Sequence, residues 1–310
     1  MKAIILENPG DPKKLKLTEI EKPPIKEEEV LVEVKSVSIN PIDVKTRSGK
    51  GAYSKLKDEN PLILGWDISG IVVETNSSKF KLNDEVFGMI NFPGHGKAYA
   101  QFVTASENHI ALKPKNISFE EAAATNLAAL TALQAIEKAE LKEGQNVLIH
   151  AASGGVGHFA VQIAKYLGAS VTGTSSAKNR EFVLSVGADN HINYTNYDWE
   201  NSEEKFDFIL DTIGGENIDH SVKVLKNGGT IISIPSGLNE KVEEKATSVN
   251  AKGFTMLVQS NGNDMQKLAE LLEKSFIKPH IYKTYHFDKM SEAHKELEKG
   301  RAVGKIVVNF

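Results

Sequence analysis

The chain has 310 residues, of which 40% are hydrophobic and 25% charged, with a formal net charge of −4. That is the balance of an ordinary globular protein long enough for two domains, and the absence of a dense basic stretch argues against a nucleic-acid partner. Cysteine is absent, which excludes disulfides and thiolate metal sites, and no run approaches the roughly 20 apolar residues of a membrane span.

The opening stretch, "MKAIILENPGDPKKL", carries only a short apolar patch. We therefore expect no secretion signal and a cytoplasmic protein. The first third then reads as short strands: "KAIIL", "EVLVEVKSVSI", "DISGIVVET", "DEVFGMI" and "AYAQFVTA", broken by Gly, Pro, Asn and Asp. The character changes at "KPKNISFEEAAATNLAALTALQAI". Ser118 is a candidate N-cap with Glu121 three residues on, and a long alanine-rich helix follows.

From there strand and helix alternate. "NVLIHA" predicts a strand and "VGHFAVQIAKYLG" a helix; "SVTGTS" a strand and "KNREFVLSVGA" a helix; "NHINY" and "FDFILDTIG" strands. "NIDHSVKVLKNGG" predicts a helix closed by glycine, "TIISIP" a strand, "GFTMLVQS" a strand and "DMQKLAELLEKSF" a helix. Continuous apolar strands joined by helices are what a parallel sheet covered on both faces requires. The tail, "IYKTYHFDKMSEAHKELEKGRAVGKIVVNF", reads as strand, helix, strand, and is a candidate to rejoin the first module.

Between a strand and a helix lies "HAASGGVG". Ala152, Gly154 and Gly157 stand at G-x-G-x-x-G spacing, with alanine in the first slot and an extra Gly155. The flanking strand and helix turn this weak pattern into a dinucleotide-binding loop, built by Ala152, Ser153, Gly154, Gly155, Val156 and Gly157. Gly154 lets backbone approach the pyrophosphate, Gly157 lets the helix pack on the sheet, and the helix N-terminus offers N–H groups to the anion. An NAD site carries an acid about 20 residues further on, against the ribose 2′-hydroxyl. Here that region is "VTGTSSAKNREF", with Ser175, Ser176, Lys178 and Arg180 and no acid at the strand end. Hydroxyls and cations suit a 2′-phosphate, and so NADPH; the plainer reading is that Lys178 and Arg180 only solvate the next helix.

With those residues in view, the chain resembles the medium-chain dehydrogenase/reductase superfamily, and within it the zinc-free quinone oxidoreductases. "SINPIDVKTRSG", "LGWDISGIVVE", "HAASGGVG", "GADNHINY" and "GKIVV" carry the resemblance over essentially the whole length. It implies an α/β fold in which a GroES-like β-rich catalytic domain, residues 1–118, is interrupted by a Rossmann-fold nucleotide-binding domain, 119–278, and completed by 279–310. The zinc branch holds its catalytic metal with two cysteines and a Gly-His-Glu turn. Here Asn40 lies near the first cysteine position and the turn reads Gly65-Trp66-Asp67, so we expect no functional metal and no Lewis acid to polarise an alcohol.

The resemblance implies NADPH-dependent reduction of a quinone or an α,β-unsaturated carbonyl. It places Asn40 beside the nicotinamide and makes Tyr53 the candidate phenol; Tyr53 as a packed loop aromatic is the plainer alternative. Asp43 is read as fixing backbone around Asn40. Thr131 falls where relatives reach the nicotinamide carboxamide, Tyr194 where they flank the 2′-phosphate, and Arg301 and Lys305 approach the cofactor from the tail. The loop from Ile234 to Gly237 follows a strand at its C-terminal end, where such sheets bind ligands. His95 is a further candidate for the substrate cleft. Two other functions stay open: a 2-enoyl-thioester reductase and a non-catalytic NADPH-binding protein. The apolar strand "GFTMLVQS", expected at a sheet edge, points with the resemblance to a homodimer.

Overall fold

The computed structural model describes residues 1–310. Its elements begin with β1 (Lys2–Leu6), β2 (Leu15–Glu19) and β3 (Glu29–Ile39), two short helices α1 (Pro41–Arg47) and α2 (Tyr53–Leu56), and strands β4 (Asp67–Thr75), β5 (Glu85–Met89), β6 (Phe102–Ser106) and β7 (Ala111–Leu112). The long helix α3 (Phe119–Lys138) leads to β8 (Asn146–Ile149), α4 (Gly157–Tyr166), β9 (Ser170–Ser175), α5 (Arg180–Ser185) and β10 (Asn190–Asn193). Next come β11 (Phe206–Asp211), α6 (Asn217–Lys223), β12 (Leu225–Ser233), α7 (Val242–Thr247) and β13 (Lys252–Thr255). Helix α8 (Gly262–Glu273), β14 (Ile281–His286), α9 (Met290–Glu298) and β15 (Lys305–Asn309) complete the chain. No helix is long and apolar enough to cross a membrane.

Two compact units emerge, Met1–Leu130 with Val258–Phe310, and Thr131–Leu257. Helix α8 belongs to the first: the Gly262 N–H donates to the Asn108 carbonyl at 2.6 Å and Asn116 Nδ2 to the Leu272 carbonyl at 3.0 Å.

The first unit is a mostly antiparallel sheet in the order β14-β15-β3-β4-β5-β7, with β6 also on β3 and β1-β2 as a separate ribbon. The tail does rejoin the first module, because β15 pairs antiparallel with β3, Ile306 against Ile39. Strand β3, eleven residues rich in valine, is buried along most of its length and is the spine of this sheet. It ends where Asn40 caps α1 and Pro41 takes the first helical turn, a placement that pre-sets φ without losing a needed donor.

The second unit is a six-stranded parallel sheet in the order β10-β9-β8-β11-β12-β13. Counted from β8 this is 3-2-1-4-5-6, the Rossmann order, with its switch point between β8 and β11. The strands are as apolar as the sequence implies, with Val147, Leu148, Ile149, Ile209, Leu210, Ile231 and Ile232 fully buried. One expected helix is shorter than read: α6 stops at Lys223, and the "LKNGG" expected in its last turns belongs to β12. The Phe206 N–H donates to the Val224 carbonyl at 2.9 Å and the Gly228 N–H to the Asn250 carbonyl at 2.8 Å, so strand pairing claims the segment.

Candidate functional site

The glycine loop lies at the switch point. Ala152 N–H donates to the Thr174 carbonyl at 2.8 Å, tying the loop to the end of β9, and Gly154 N–H donates to the Ala151 carbonyl at 2.8 Å. Ala151 itself sits at φ 47°. A Cβ on Gly157 would enter the backbone of Ala151 and Ala152, whereas one on Gly154 would meet only the Ala151 carbonyl oxygen, at 3.1 Å. Helix α4 starts at Gly157 with no side-chain cap, and its His158 N–H donates to the Gly154 carbonyl at 3.2 Å; an uncapped helix start of this kind suits an anion.

The end of β9 gathers the residues expected to choose the cofactor. Asn179 Nδ2 donates to Ser153 Oγ at 3.1 Å, and Tyr194 N–H donates to the Ser175 carbonyl at 3.3 Å. Lys178, Arg180 and Tyr194 are exposed and Ser176 is half-buried. Ser175 is buried, its hydroxyl donating to the Ser176 carbonyl at 3.1 Å and lying 2.8 Å from His191 Nε2. Arg180 and His191 share the wall of a cavity of about 370 Å³ with Asn193, Asn196, Tyr197 and Glu204. Burial and the Arg180 charge hold the His191 imidazole below its ordinary pKa.

On the other side of the switch point, Asp211 ends β11 and is fully buried. Its carboxylate accepts from the N–H groups of Ile213 and Gly214 (3.0 and 3.1 Å), Asn217 Nδ2 (2.8 Å) and Ser233 Oγ (2.6 Å). These four donors hold the turn at Gly214 and Gly215, both with positive φ. Ile234 follows directly, its N–H on the Asp211 carbonyl at 3.0 Å. His150, just before the loop, reaches Ser221 Oγ at 3.0 Å and Thr174 Oγ1 at 3.3 Å. Burial pushes its pKa down to about 4, the nearby His220 lowering it further against the opposing pull of Asp211. Thr131, also of the second unit, is buried on α3.

In the first unit a polar knot sits at the ends of three neighbouring strands. Asn40 after β3, Asp67 at the start of β4 and Lys305 at the start of β15 come together because β15, β3 and β4 are adjacent, with Ser38 opposite Asp67. Asn40 Nδ2 donates to Asp67 Oδ2 at 2.7 Å, and Lys305 Nζ donates to Asn40 Oδ1 and, at 3.3 Å, to the Ile39 carbonyl. Asp67 also accepts from Ser38 Oγ at 2.6 Å and the Leu127 N–H at 2.9 Å, and stands 3.9 Å from Lys305 Nζ. Asp43 accepts the Asn40 N–H at 2.7 Å, the backbone-fixing part expected of it. Burial pushes the Asp43 carboxyl up to about 8, with the Asp67 charge adding to the rise. Asp67 is raised by burial, against the opposing pull of Lys305, and Lys305 is lowered by burial. Beneath lie Tyr99, its hydroxyl 3.1 Å from His294 Nε2, and the buried Arg47, which pairs with Glu298.

Asn40 is 1% exposed and Lys305 4%. Both side chains hydrogen-bond within their own unit. Tyr53 opens α2 and is half-buried, while Arg301 is exposed between α9 and β15. His95 has Nε2 2.7 Å from the Ile63 carbonyl, and its Nδ1 stands 3.0 Å from the Glu59 carboxylate. The residues the sequence reading missed are Asp211, His150, Asn179 and His191. Asp211 had a visible signal, an acid closing an apolar strand before Thr-Ile-Gly-Gly; His191 is set by the register of β10 on β9, and His150 and Asn179 by the contacts of the segments that follow β8 and β9.

No group of three or more His, Cys, Asp or Glu side chains is placed to hold a metal ion. The donors at the zinc branch's position do not fit one either: Asn40 and Asp67 are spent on each other, and Lys305 places a fixed cation beside them. The glycine loop, by contrast, fits a dinucleotide, since Gly154 presents bare backbone just before the uncapped start of α4.

Comparison with known proteins agrees with this architecture. Residues 26–115 match the alcohol dehydrogenase GroES-like domain and residues 186–308 the zinc-binding dehydrogenase family. The 2-methylene-furan-3-one reductase of Solanum lycopersicum is 38% identical over 299 residues, covering 93% of this chain and 73% of that protein. The chloroplastic NADPH-dependent alkenal/one oxidoreductase of Arabidopsis thaliana is 34% identical, covering 99% of this chain and 79% of that protein. The solved quinone oxidoreductase of Coxiella burnetii superposes with a TM-score of 0.94 at 38% identity, covering 100% of this chain and 99% of that one. The chain belongs to the medium-chain dehydrogenase/reductase superfamily, among its quinone oxidoreductases and enone reductases.

Proposed function

We propose that this chain is an NADPH-dependent reductase of quinones and α,β-unsaturated carbonyls. The observation that carries the reading is the glycine loop at the switch point of a 3-2-1-4-5-6 sheet, followed by a β9 end with hydroxyls and cations and no acid. Bound there, NADPH supplies a hydride equivalent. The loop from Ala152 to Gly157 and the start of α4 hold the pyrophosphate; Ser176, Lys178, Arg180 and Tyr194 receive the 2′-phosphate, with Ser175 shaping that end of β9. Thr131, Ile234 and Arg301 make further cofactor contacts.

A conjugated carbonyl that gains hydride at its β-carbon carries negative charge on oxygen and needs a proton. Tyr53 is the group assigned to supply it, as a hydrogen-bond donor to the developing oxyanion and then as a proton source refilled from solvent. Asn40 holds the start of α1, which leads to Tyr53. The reading includes a homodimer acting in the cytoplasm. It is tested by following NADPH absorbance over quinones, enones and enoyl thioesters. Turnover of enones or quinones is expected; turnover of enoyl thioesters alone would move the protein to the thioester reductases, and none with any acceptor would overturn the reading.

A further inference from the structure

The polar knot at Asn40 has an odd composition for a protein interior. Two carboxyls, a lysine and an amide are buried together, an arrangement that a well-packed apolar cluster would commonly match or exceed in stability. What such a knot supplies is direction. An ammonium only donates and a carboxylate only accepts, so an amide between them has one orientation: oxygen to Lys305, nitrogen to Asp67. Asp43 fixes the same residue through its backbone N–H.

A short, tight path leads from Asn40 to Tyr53. Asn40 is the N-cap of α1. From the last turn of α1 the chain doubles back, with Lys50 N–H on the Lys45 carbonyl at 2.8 Å and Ala52 N–H on Thr46 Oγ1 at 3.3 Å. The turn has no slack, since a Cβ on Gly51 would lie 2.9 Å from Ile42 Cδ1 and 3.1 Å from Lys45 Cβ. Tyr53 follows, its N–H on the Lys50 carbonyl at 3.0 Å.

We propose that Lys305 and Asp67 are positioning residues that orient the Asn40 amide and, through α1 and its return turn, set the place of the Tyr53 phenol. The proposal rests on the reading of Tyr53 as proton donor. Without Lys305, the Asn40 oxygen loses its ammonium donor, Asp67 loses the charge that opposes its protonation, and nothing fixes which way the amide points. Small misplacements of a reacting group can cost about 10²-fold in rate.

The test is Lys305→Met alone and combined with Tyr53→Phe, measured with an enone, a quinone and NADPH binding. Lys305→Met is expected to lower enone kcat by about 10–100-fold, to lower quinone turnover much less, and to leave the NADPH Kd within about threefold. In the Tyr53→Phe background it should cost little more, because both act on one proton transfer. The enone rate of Lys305→Met should also acquire a rise with pH as Asp67 ionises, which mere loosening of the fold would not produce. If the single variant does not fold, Lys305→Met/Asp67→Asn leaves no lone buried charge and serves in its place, read by the same enone-to-quinone ratio. Equal losses on enone and quinone, or independent losses for Lys305→Met and Tyr53→Phe, would overturn the proposal. If Tyr53→Phe itself leaves enone reduction unchanged, the proton-donor reading has failed, and the pair proposal with it.

Discussion

A Cβ placed on Gly157 would stand 2.2 Å from the carbonyl oxygen of Ala151 and 2.7 Å from the Cα of Ala152. The third glycine is therefore required by the loop's own backbone, before any ligand is present. The residue at which α4 begins must press directly against the chain leaving β8.

Gly157→Ala is thus expected to destabilise the free protein by about 1–3 kcal/mol and to weaken NADPH binding. Gly154 has more room, so Gly154→Ala should melt close to the parent while still binding NADPH less tightly. Thermal melts with fluorescence titration separate the two. A Gly157→Ala protein as stable as the parent would mean the loop backbone yields.

For Tyr53, the expectation divides by substrate. Tyr53→Phe should lower enone kcat by about 10²-fold, the usual scale for losing one positioned donor, with a smaller loss on quinones, whose reduced oxygens take protons readily from water. NADPH KM should change little. Steady-state kinetics on an enone and a quinone check this; no change on either would leave Tyr53 a packing residue.

Three buried groups shape the dependence of stability on pH. Asp43, raised to about 8, binds a proton in the folded state that the unfolded chain has lost above about pH 4, so it makes stability fall as pH rises toward 8. His150 and His294, lowered by burial to about 4 and about 3, work the other way, and their contribution is lost as pH falls from about 6.5. Thermal stability should peak near pH 6.5 by this balance. Asp43→Asn should remove the decline between about pH 6.5 and 8, where a full proton corresponds to about 1.4 kcal/mol per pH unit. Parallel melting curves for parent and variant across that range would mean that Asp43 is not held protonated.

Strand β13 lies at the free end of the parallel sheet, with Phe254 37% exposed and Leu257, two residues beyond the strand, 48% exposed. An apolar edge of this kind is a liability unless paired. A two-fold pairing of β13 with its copy would give a dimer at micromolar concentration by light scattering, and Phe254→Lys should shift it toward monomer. A monomeric parent protein would contradict the assignment.

Much of the fold was legible because single elements carried their own signals. "EVLVEVKSVSI", "DISGIVVET" and "SVTGTS" match β3, β4 and β9 to the residue. The glycine loop was legible because its spacing sits between strand and helix. The end of α6 was not, since "VKVLKNGG" reads as a helix with a glycine stop, and only pairing with Phe206 turns it into strand. Asn40 and Lys305 were visible as candidates but not as partners: 265 residues separate them, and only the return of β15 to β3 brings them into contact. The His191–Ser175 contact likewise depends on the register of β10 against β9.

The central claim, a reductase built for NADPH, is tested most directly by kcat/KM for NADPH and NADH on one enone, in the parent protein and in Lys178→Ala/Arg180→Ala. On the proposed function the glycine loop would receive the pyrophosphate common to both cofactors, so the choice would rest on the β9 end. Charge-assisted bonds to a 2′-phosphate there, weakened by exposure and salt, should favour NADPH by about 10²-fold. The double variant should bring the ratio most of the way toward parity, and added salt should narrow the parent's preference. Equal use of NADH by the parent protein, or a ratio unchanged in the variant, would contradict the account.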